Sequence, residues 1–395
     1  MGVSKMSRDL NMKVNVLPVY TYNFLKVNDS IIDASDINID TVESPAASEI
    51  PTHVTVERGI SFDKAGDVFR QNKDKILINT GVPGAPNGDT SARDIEQAVR
   101  TGMGVEVDKL FISADARTDI YTVDEGVVVE KPIVLKFDMN NGDGVLASQI
   151  IHARKNSEVT VIMDYNSEDK DAEGFLGVST RILAEEGARV NLVKTQLLGS
   201  GFLHFDDMGG ACFESGAIRL VSLELGASKV WTGSYINLAG KDADFTSDVG
   251  YLCRKEDHLD INFVTDHRGK KTNALMQFKG VLMDEAQKTL KFTLDFKNGS
   301  SGSVGDEQED VLLLNEDVAN RSMPIILCQE EDVDGRHGAT IGQLGEDLLF
   351  YMQSRGIDEE EAKRIMIRAR LDSVARLIPD EELSQRVQYF IQGIV

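Results

Sequence analysis

The side chains able to ligate metals or act as nucleophiles are few and widely scattered. Six histidines occur, His53, His152, His204, His258, His267 and His337, and none has the i, i+4 spacing that places two imidazoles on one helical face. His258 and His267 lie in a strand-like region, and most of the six read as hydrogen-bonded structural histidines. Three cysteines, Cys212, Cys253 and Cys328, form neither a CxxC pair nor an even disulfide set, and read as small buried hydrophobes. His337 has a different context. It stands in Glu330-Glu331-Asp332-Val333-Asp334-Gly335-Arg336-His337-Gly338-Ala339-Thr340. Flanking glycine permits close backbone approach, and clustered carboxylates raise the affinity of an imidazole for a proton or a metal. The chain has no Walker A motif, no GxGxxG after a strand, no HExxH and no GxSxG. Carboxylates are so abundant that some pair must fall close together, which leaves a paired-carboxylate β-helix carbohydrate enzyme as a remote alternative.

The elements that must position these residues change character along the chain. Residues 1–109 read as a mixed region. It holds an apolar, aromatic segment Leu17–Asn28, an acidic stretch Asp29–Glu49, a Gly/Pro-rich loop Gly81–Gly88 and a helix over Ser91–Arg100. From about Leu110, short Val/Ile/Leu/Thr segments recur between Gly, Asn, Asp and Ser: Gly126–Lys136, Glu158–Asp164, Ser179–Leu183, Arg189–Leu198, Ala217–Glu224, Ser228–Ser234 and Leu290–Phe296. Many alternate, which is strand periodicity. A Gly-Ala echo at Gly187-Ala188, Gly216-Ala217 and Gly226-Ala227 predicts turns in which glycine supplies a positive φ before each strand. Repeated turn-then-strand units with 6% aromatic residues suggest the stacked coils of a β-solenoid, with a β-sandwich as the rival fold.

Beyond Gly342 the period becomes helical. The pattern predicts a helix over Glu346–Ser354 stopped by Gly356. A second helix is capped by Asp358 and Glu361, with Ala362, Ile365, Met366 and Ala369 on one face, and ends before Pro379. A third has Asp380 as N-cap and a Leu383, Val387, Phe390, Ile391 stripe.

Of the 395 residues, 42 are Lys or Arg and 65 are Asp or Glu, a formal net charge of −23. Such a surface repels phosphates, so nucleic acid is not an expected partner. Apolar runs such as Val311–Leu314 and Met323–Cys328 are too short to cross a bilayer, and Met1–Leu17 lacks a signal-peptide h-region. The expectation is a cytoplasmic protein without membrane contact.

At the junction of strands and helices the sequence resembles a known family. His337-Gly338-Ala339-Thr340-Ile341-Gly342-Gln343-Leu344, followed by Leu349-Phe350-Tyr351-Met352-Gln353-Ser354-Arg355-Gly356-Ile357, is similar to the C-terminal signature of the SufB/SufD family of iron–sulfur cluster assembly scaffolds. Leu17–Asn28, Thr265-Asp266-His267, Thr272-Asn273, Phe278-Lys279-Gly280-Val281 and Asp310–Leu314 with Pro324 extend the resemblance over nearly the whole chain. It implies an N-terminal region over 1–109, a right-handed parallel β-helix over 110–341 and a C-terminal helical domain over 342–395. It further implies a non-enzymatic subunit that pairs with a SufB-like partner through the β-helix and docks SufC, an ABC-type ATPase, on the helices.

The run His337-Gly338-Ala339 favours the SufD side of the family, since SufB typically reads His-Glu-Ala. The resemblance makes His337 the cluster-assembly residue of the interface and an iron ligand, and makes Leu349, Phe350, Tyr351 and Arg355 the SufC contact. Where SufD commonly has a cysteine two residues before this histidine, the chain has Gly335, so the essential thiol is expected from SufB. No resident cofactor is implied. The cluster is transient at the SufB interface, and a reduced flavin is a candidate further component of the assembled complex. A SufB-like or homodimeric scaffold acting without a separate SufB is the alternative.

Overall fold

The computed structural model describes residues 11–19, 23–33, 37–42, 45, 47, 49–72, 100–343 and 345–394. Its body is a solenoid of about eight coils, each contributing one strand to each of two sheets. The first sheet holds β3 (Val54–Ser61), β4 (Arg117–Val123), β6 (Gly144–Ala153), β8 (Glu173–Ala184), β10 (Gly201–Cys212), β12 (Lys229–Leu238), β14 (His258–His267), β16 (Gln287–Phe296) and β18 (Ala319–Cys328). The second holds β5 (Ile133–Met139), β7 (Glu158–Ser167), β9 (Arg189–Leu197), β11 (Ala217–Glu224), β13 (Asp244–Cys253), β15 (Asn273–Leu282), β17 (Ser303–Leu313) and β19 (Val333–Gln343). All neighbours from β4 and β5 onward pair in parallel, and only β3 joins antiparallel to β4. The fold is a parallel β-helix, not a sandwich.

The parallel register turns alternation into stacked columns inside the helix. One column runs Val159, Val190, Ile218, Phe245, Ala274, Gly305, Gly335. The next runs Val161, Leu192, Leu220, Ser247, Met276, Glu307, His337. Large rings from both sheets meet in the lumen, Phe278 of β15 making an edge contact with Phe263 of β14 and a tilted one with Phe292 of β16. The Gly-Ala echo is resolved by this geometry. Ala217 pairs with Arg189, so the first interval is one full coil, whereas Gly226-Ala227 turns the opposite corner of the same coil.

Only Gly187 of the three echoed glycines has the predicted positive φ, +66°. At the equivalent corner of neighbouring coils the left-handed residue is Asn156, Ser215, Asp242, Lys271 or Gly302. Gly216 and Gly226 are required by crowding instead: a Cβ would lie 2.9 Å from the Glu185 carbonyl oxygen and 2.2 Å from that of Leu198. The other segments read as strands fall on observed strands, though Ser179–Leu183 is only the later part of β8, and Gly126–Lys136 is largely corner, its strand beginning at Ile133.

In the N-terminal region, β1 (Asn11–Val14) and β2 (Ser30–Asp33) form a small antiparallel pair. Short helices α1 (Phe62–Ala65) and α2 (Asp67–Arg70) precede α3 (Val105–Ser113). The expected loop at Gly81–Gly88 lies outside the described residues, as does all of the expected Ser91–Arg100 helix but Arg100.

At the C-terminus, α4 (Glu346–Ser354) ends before Gly356, which has φ +85°. α5 (Glu359–Ala375) is capped by the Asp358 carboxylate, which accepts from the Glu361 amide at 2.9 Å. Asp380 caps α6 (Glu381–Ile394) by accepting from the Leu383 amide at 2.8 Å. Both longer helices lie on the outer face of the second sheet, where Ile367, Leu371, Val374, Leu383, Val387 and Ile391 cover Val193, Val221, Leu223, Leu252 and Val281. The face of α5 thus differs from expectation. Ala362 is buried, but Ile365 and Ala369 are exposed. The helix offers two apolar stripes, and the sheet packs against the longer-chained Ile367–Leu371–Val374 one.

Candidate functional site

Among the described residues, β19 is the last strand of its sheet, paired on one side only, with β17. None of its residues is buried, and Ile341 is 53% exposed. β18 is likewise the last strand of the first sheet, and tolerates Pro324 because an edge strand has ladder positions that need no donor. The lumen of the β-helix therefore opens at this end.

His337 sits at that mouth. Its neighbours in the strand fix which way it points. A Cβ at Gly335 would meet Phe296 at 3.0 Å and Ile326 at 3.2 Å, both core residues of the lumen, so odd-numbered positions face inward. A Cβ at Gly338 would meet the Gln308 side chain, 2.7 Å away on the outer face. The crowding at Gly335 also explains its identity: the Phe296 ring fills the space in which a cysteine side chain would stand.

The carboxylates expected to influence His337 are directed elsewhere. Asp334 pairs with Arg336 on the outer face of the strand. The Glu330 carboxylate accepts from the Gly299 amide at 2.9 Å, and Asp332 accepts from the Ser301 hydroxyl at 2.7 Å, so both fasten the preceding corner. The carboxylate in register with His337 is instead Glu307, one coil deeper in the same lumenal column. Glu307 is fully buried and neither of its oxygens has a hydrogen-bond partner. Burial, aided by the nearby Asp306 charge, pushes its carboxyl up to about 10. Sequence reasoning missed it, because only the coil register connects positions 307 and 337.

Two residues along the same strand, Glu309 is paired through Oε1, while its Oε2 is buried without a partner. Glu309 forms an ion pair with Lys288, which is fully buried, and accepts from the Tyr251 hydroxyl at 3.1 Å. Lys288 also donates to the Ser322 hydroxyl at 3.0 Å, which ties the penultimate coil to the last. A similar buried pair, Lys194–Asp206, with the Tyr165 hydroxyl donating to Asp206 at 2.9 Å, lies in the middle of the helix.

Cys212 and Cys253 are buried in the lumenal core as expected, and burial raises both thiols above the ordinary range. Cys328 departs from expectation: it is exposed, its Sγ 2.9 Å from the Glu330 carbonyl oxygen. It ends the last strand of its sheet, where no further coil covers it. His204 and His267 are structural, held down to about 4 and about 3 by burial, with Nδ1 bonded to the Leu176 carbonyl at 2.9 Å and the Thr272 hydroxyl at 2.7 Å. Among the described residues, no group of three or more His, Cys, Asp and Glu is placed to hold a metal ion.

A second surface feature follows the strand. On α4, Phe350 is 73% and Tyr351 56% exposed, while Met352 is buried. Leu349 is half-buried, and the exposed Arg355 guanidinium lies over the Tyr351 ring, 5.3 Å from its centroid. Arg355 and Tyr351 thus meet on α4, while the consecutive Leu349 and Phe350 project around the helix at successive steps of about 100°. No helix among the described residues is long and apolar enough to cross a membrane.

Comparison with known proteins gives the same assignment from independent ground. The family model described as "SUF system FeS cluster assembly, SufBD core domain" matches residues 137–370. The iron-sulfur cluster assembly protein SufD of Bacillus subtilis is 25% identical over 333 residues, covering 81% of this chain and 74% of that protein. SufD of Plasmodium berghei is 24% identical over 60% of this chain and 18% of its own length. The chloroplastic SufBD family protein ABCI8 of Arabidopsis thaliana is 26% identical over 49% of this chain and 36% of its own length. With a family model spanning more than half of its length and a β-helix built as that family's resemblance implied, the chain belongs to the SufB/SufD family of iron–sulfur cluster assembly proteins and is most like its SufD members.

Proposed function

We propose that the chain is a non-enzymatic scaffold subunit that joins a SufB-like partner end to end through the last β-helix coil and carries a SufC-type ATPase on its C-terminal helices. The observation that carries this reading is the open end of the solenoid. β19 presents an unpaired edge with exposed Ile341 and the inward-facing His337. An uncovered edge of eleven residues is a liability for a free protein and a template for a partner strand. The exposed side chains of α4 support the second contact: Phe350 and Tyr351 are aromatic anchors of the kind that dominate interfaces, with Leu349 and Arg355 beside them.

In this reading the nascent cluster is cargo at the joint, not a resident group. The neutral imidazole of His337 is a borderline ligand suited to iron, and the partner contributes the thiolate. Reduced flavin, if the complex holds it, belongs to the assembled state, and the working compartment is the cytoplasm. No contact with nucleic acid or membrane is required.

Co-expression with a SufB-like and a SufC-like subunit tests the reading. The chain is expected to co-purify with both, and His337→Ala is expected to leave the complex intact while abolishing cluster delivery in cells. Elution of the chain alone would overturn it.

The exposed thiol of Cys328, at the same end as His337, favours one second reading, a homodimeric scaffold in which each copy supplies its own sulfur ligand. Cluster retained by the lone protein after anaerobic reconstitution, and lost in Cys328→Ser, would establish it.

A further inference from the structure

Glu307 is the anomaly of the lumen. Its column is apolar through Val161, Leu192 and Leu220, passes Ser247 and Met276, and ends in Glu307 and His337. A buried carboxylate without a partner destabilises a fold, and an apolar residue of similar size at the same place would not. Nothing below Glu307 accounts for it, since Met276 beneath offers a thioether that already accepts from the Thr265 hydroxyl at 3.6 Å. Lys288 and Tyr251 are engaged by Glu309, on the adjacent column. The lumenal group above it is His337, on the neighbouring strand in direct register.

Adjacent strands lie about 4.8 Å apart, and same-side side chains on them converge readily. A transition-metal ion bound at roughly 2.0–2.2 Å by an imidazole nitrogen and a carboxylate oxygen fits such a pair. We propose that Glu307 and His337 form a two-ligand half-site, nitrogen and carboxylate oxygen, for a divalent first-row transition-metal ion at the lumen mouth, its remaining positions left for ligands from the docked partner. The inference rests on the proposed function for its biological cargo, iron. The half-site itself follows from the register, the burial and the two unpartnered oxygens. Among the described residues no group of three or more ligands is placed to hold a metal ion, and the pair is finished only across the joint.

The test uses the full chain with its histidines labelled with carbon-13 at the ring Cε1, titrated with Co(II), whose unpaired electrons broaden and shift the signals of nearby ring carbons. The His337 signal is identified by its absence in His337→Ala. In the wild type this signal is expected to move at the lowest cobalt concentration among the six histidines, and in Glu307→Gln its midpoint is expected to rise at least tenfold. Glu307→Asp, which keeps the carboxylate but withdraws it by one methylene, is expected to give a smaller rise and serves if the glutamine variant does not fold. Equal midpoints in wild type and Glu307→Gln, or another histidine whose signal moves at a lower cobalt concentration than that of His337, would overturn the half-site. The scaffold reading is judged separately by co-purification: a complex that forms while cobalt ignores Glu307 defeats only this inference, and a Glu307-dependent cobalt shift in a chain that binds no partner defeats only the scaffold reading.

Discussion

The two ends of the β-helix are built differently. At the first coil, both sheets are closed by crossing chain: β3 runs antiparallel along β4, and Ala47 makes an antiparallel bridge to Leu135 on β5. Such a change of direction stops a parallel ladder and protects its edge. At the last coil, β18 and β19 end their sheets with no chain across them among the described residues. The burial follows suit. β5 buries alternate residues, Ile133, Leu135, Phe137 and Met139, while β19 buries none. A solenoid that caps one end and leaves the other open has kept a surface for addition, and the unusual buried chemistry of Glu307, Glu309 and Lys288 lies within the two coils beneath it.

The comparison is most sharply broken by the two glutamates of β17. Glu309→Gln leaves Lys288 charged and uncompensated beneath the open coil, with an expected loss of about 3–5 kcal/mol in chemical denaturation. Glu307→Gln, on the same strand, removes an unpartnered carboxylate and is expected to leave the melting temperature unchanged or raised. Similar losses for both would mean that Glu307 has a stabilising partner as Glu309 does.

Next in size is the helical cover of the second sheet. Leu371→Ala should cost about 2–5 kcal/mol, whereas Ile365→Ala, on the exposed stripe, should stay within about 0.5 kcal/mol. Denaturation midpoints of the two variants decide which face of α5 is seated.

pH is expected to give an effect of comparable size, spread over several units. Asp207, beneath the segment leading to α3, accepts from the Met103 amide at 2.8 Å, yet burial pushes its carboxyl up to about 8. The folded state therefore holds its proton above the pH at which the unfolded chain, with a carboxyl near 3.8, releases it. The contribution is full below about pH 4 and is lost progressively up to about pH 8, at no more than about 1.4 kcal/mol per pH unit. Asp207→Asn should flatten the stability profile across that window, and an unchanged slope would contradict the assignment. The smallest effect on stability belongs to the open end itself. Ile341→Lys should leave denaturation within about 0.5 kcal/mol of wild type.

Much of this architecture is legible in the sequence because a parallel β-helix converts local alternation into global structure. Glu158-Val159-Thr160-Val161 already states which residues face the lumen, and the interval between Gly187-Ala188 and Gly216-Ala217 is the length of a coil. The capping residues Asp358 and Asp380 announce their helices because the cap interaction is itself local. What the sequence conceals depends on register or on position in the stack. Cys328 has the apolar surroundings of an interior strand, and only its place on the final coil exposes it. The carboxylates adjacent to His337 in sequence face outward or fasten corners, while the one aligned with it comes from the preceding coil. The seating of α5 is set by the side chains of the sheet beneath, which a helical wheel cannot supply.

The central claim, that the open coil is a docking face, is tested most directly by native mass spectrometry of the chain co-expressed with SufB-like and SufC-like subunits, wild type beside Ile341→Lys. The account predicts a three-component assembly for the wild type. For Ile341→Lys it predicts loss of the SufB-like subunit with the SufC-like subunit retained. A variant that keeps all three subunits, or a wild type found only as a monomer or homodimer, would contradict it.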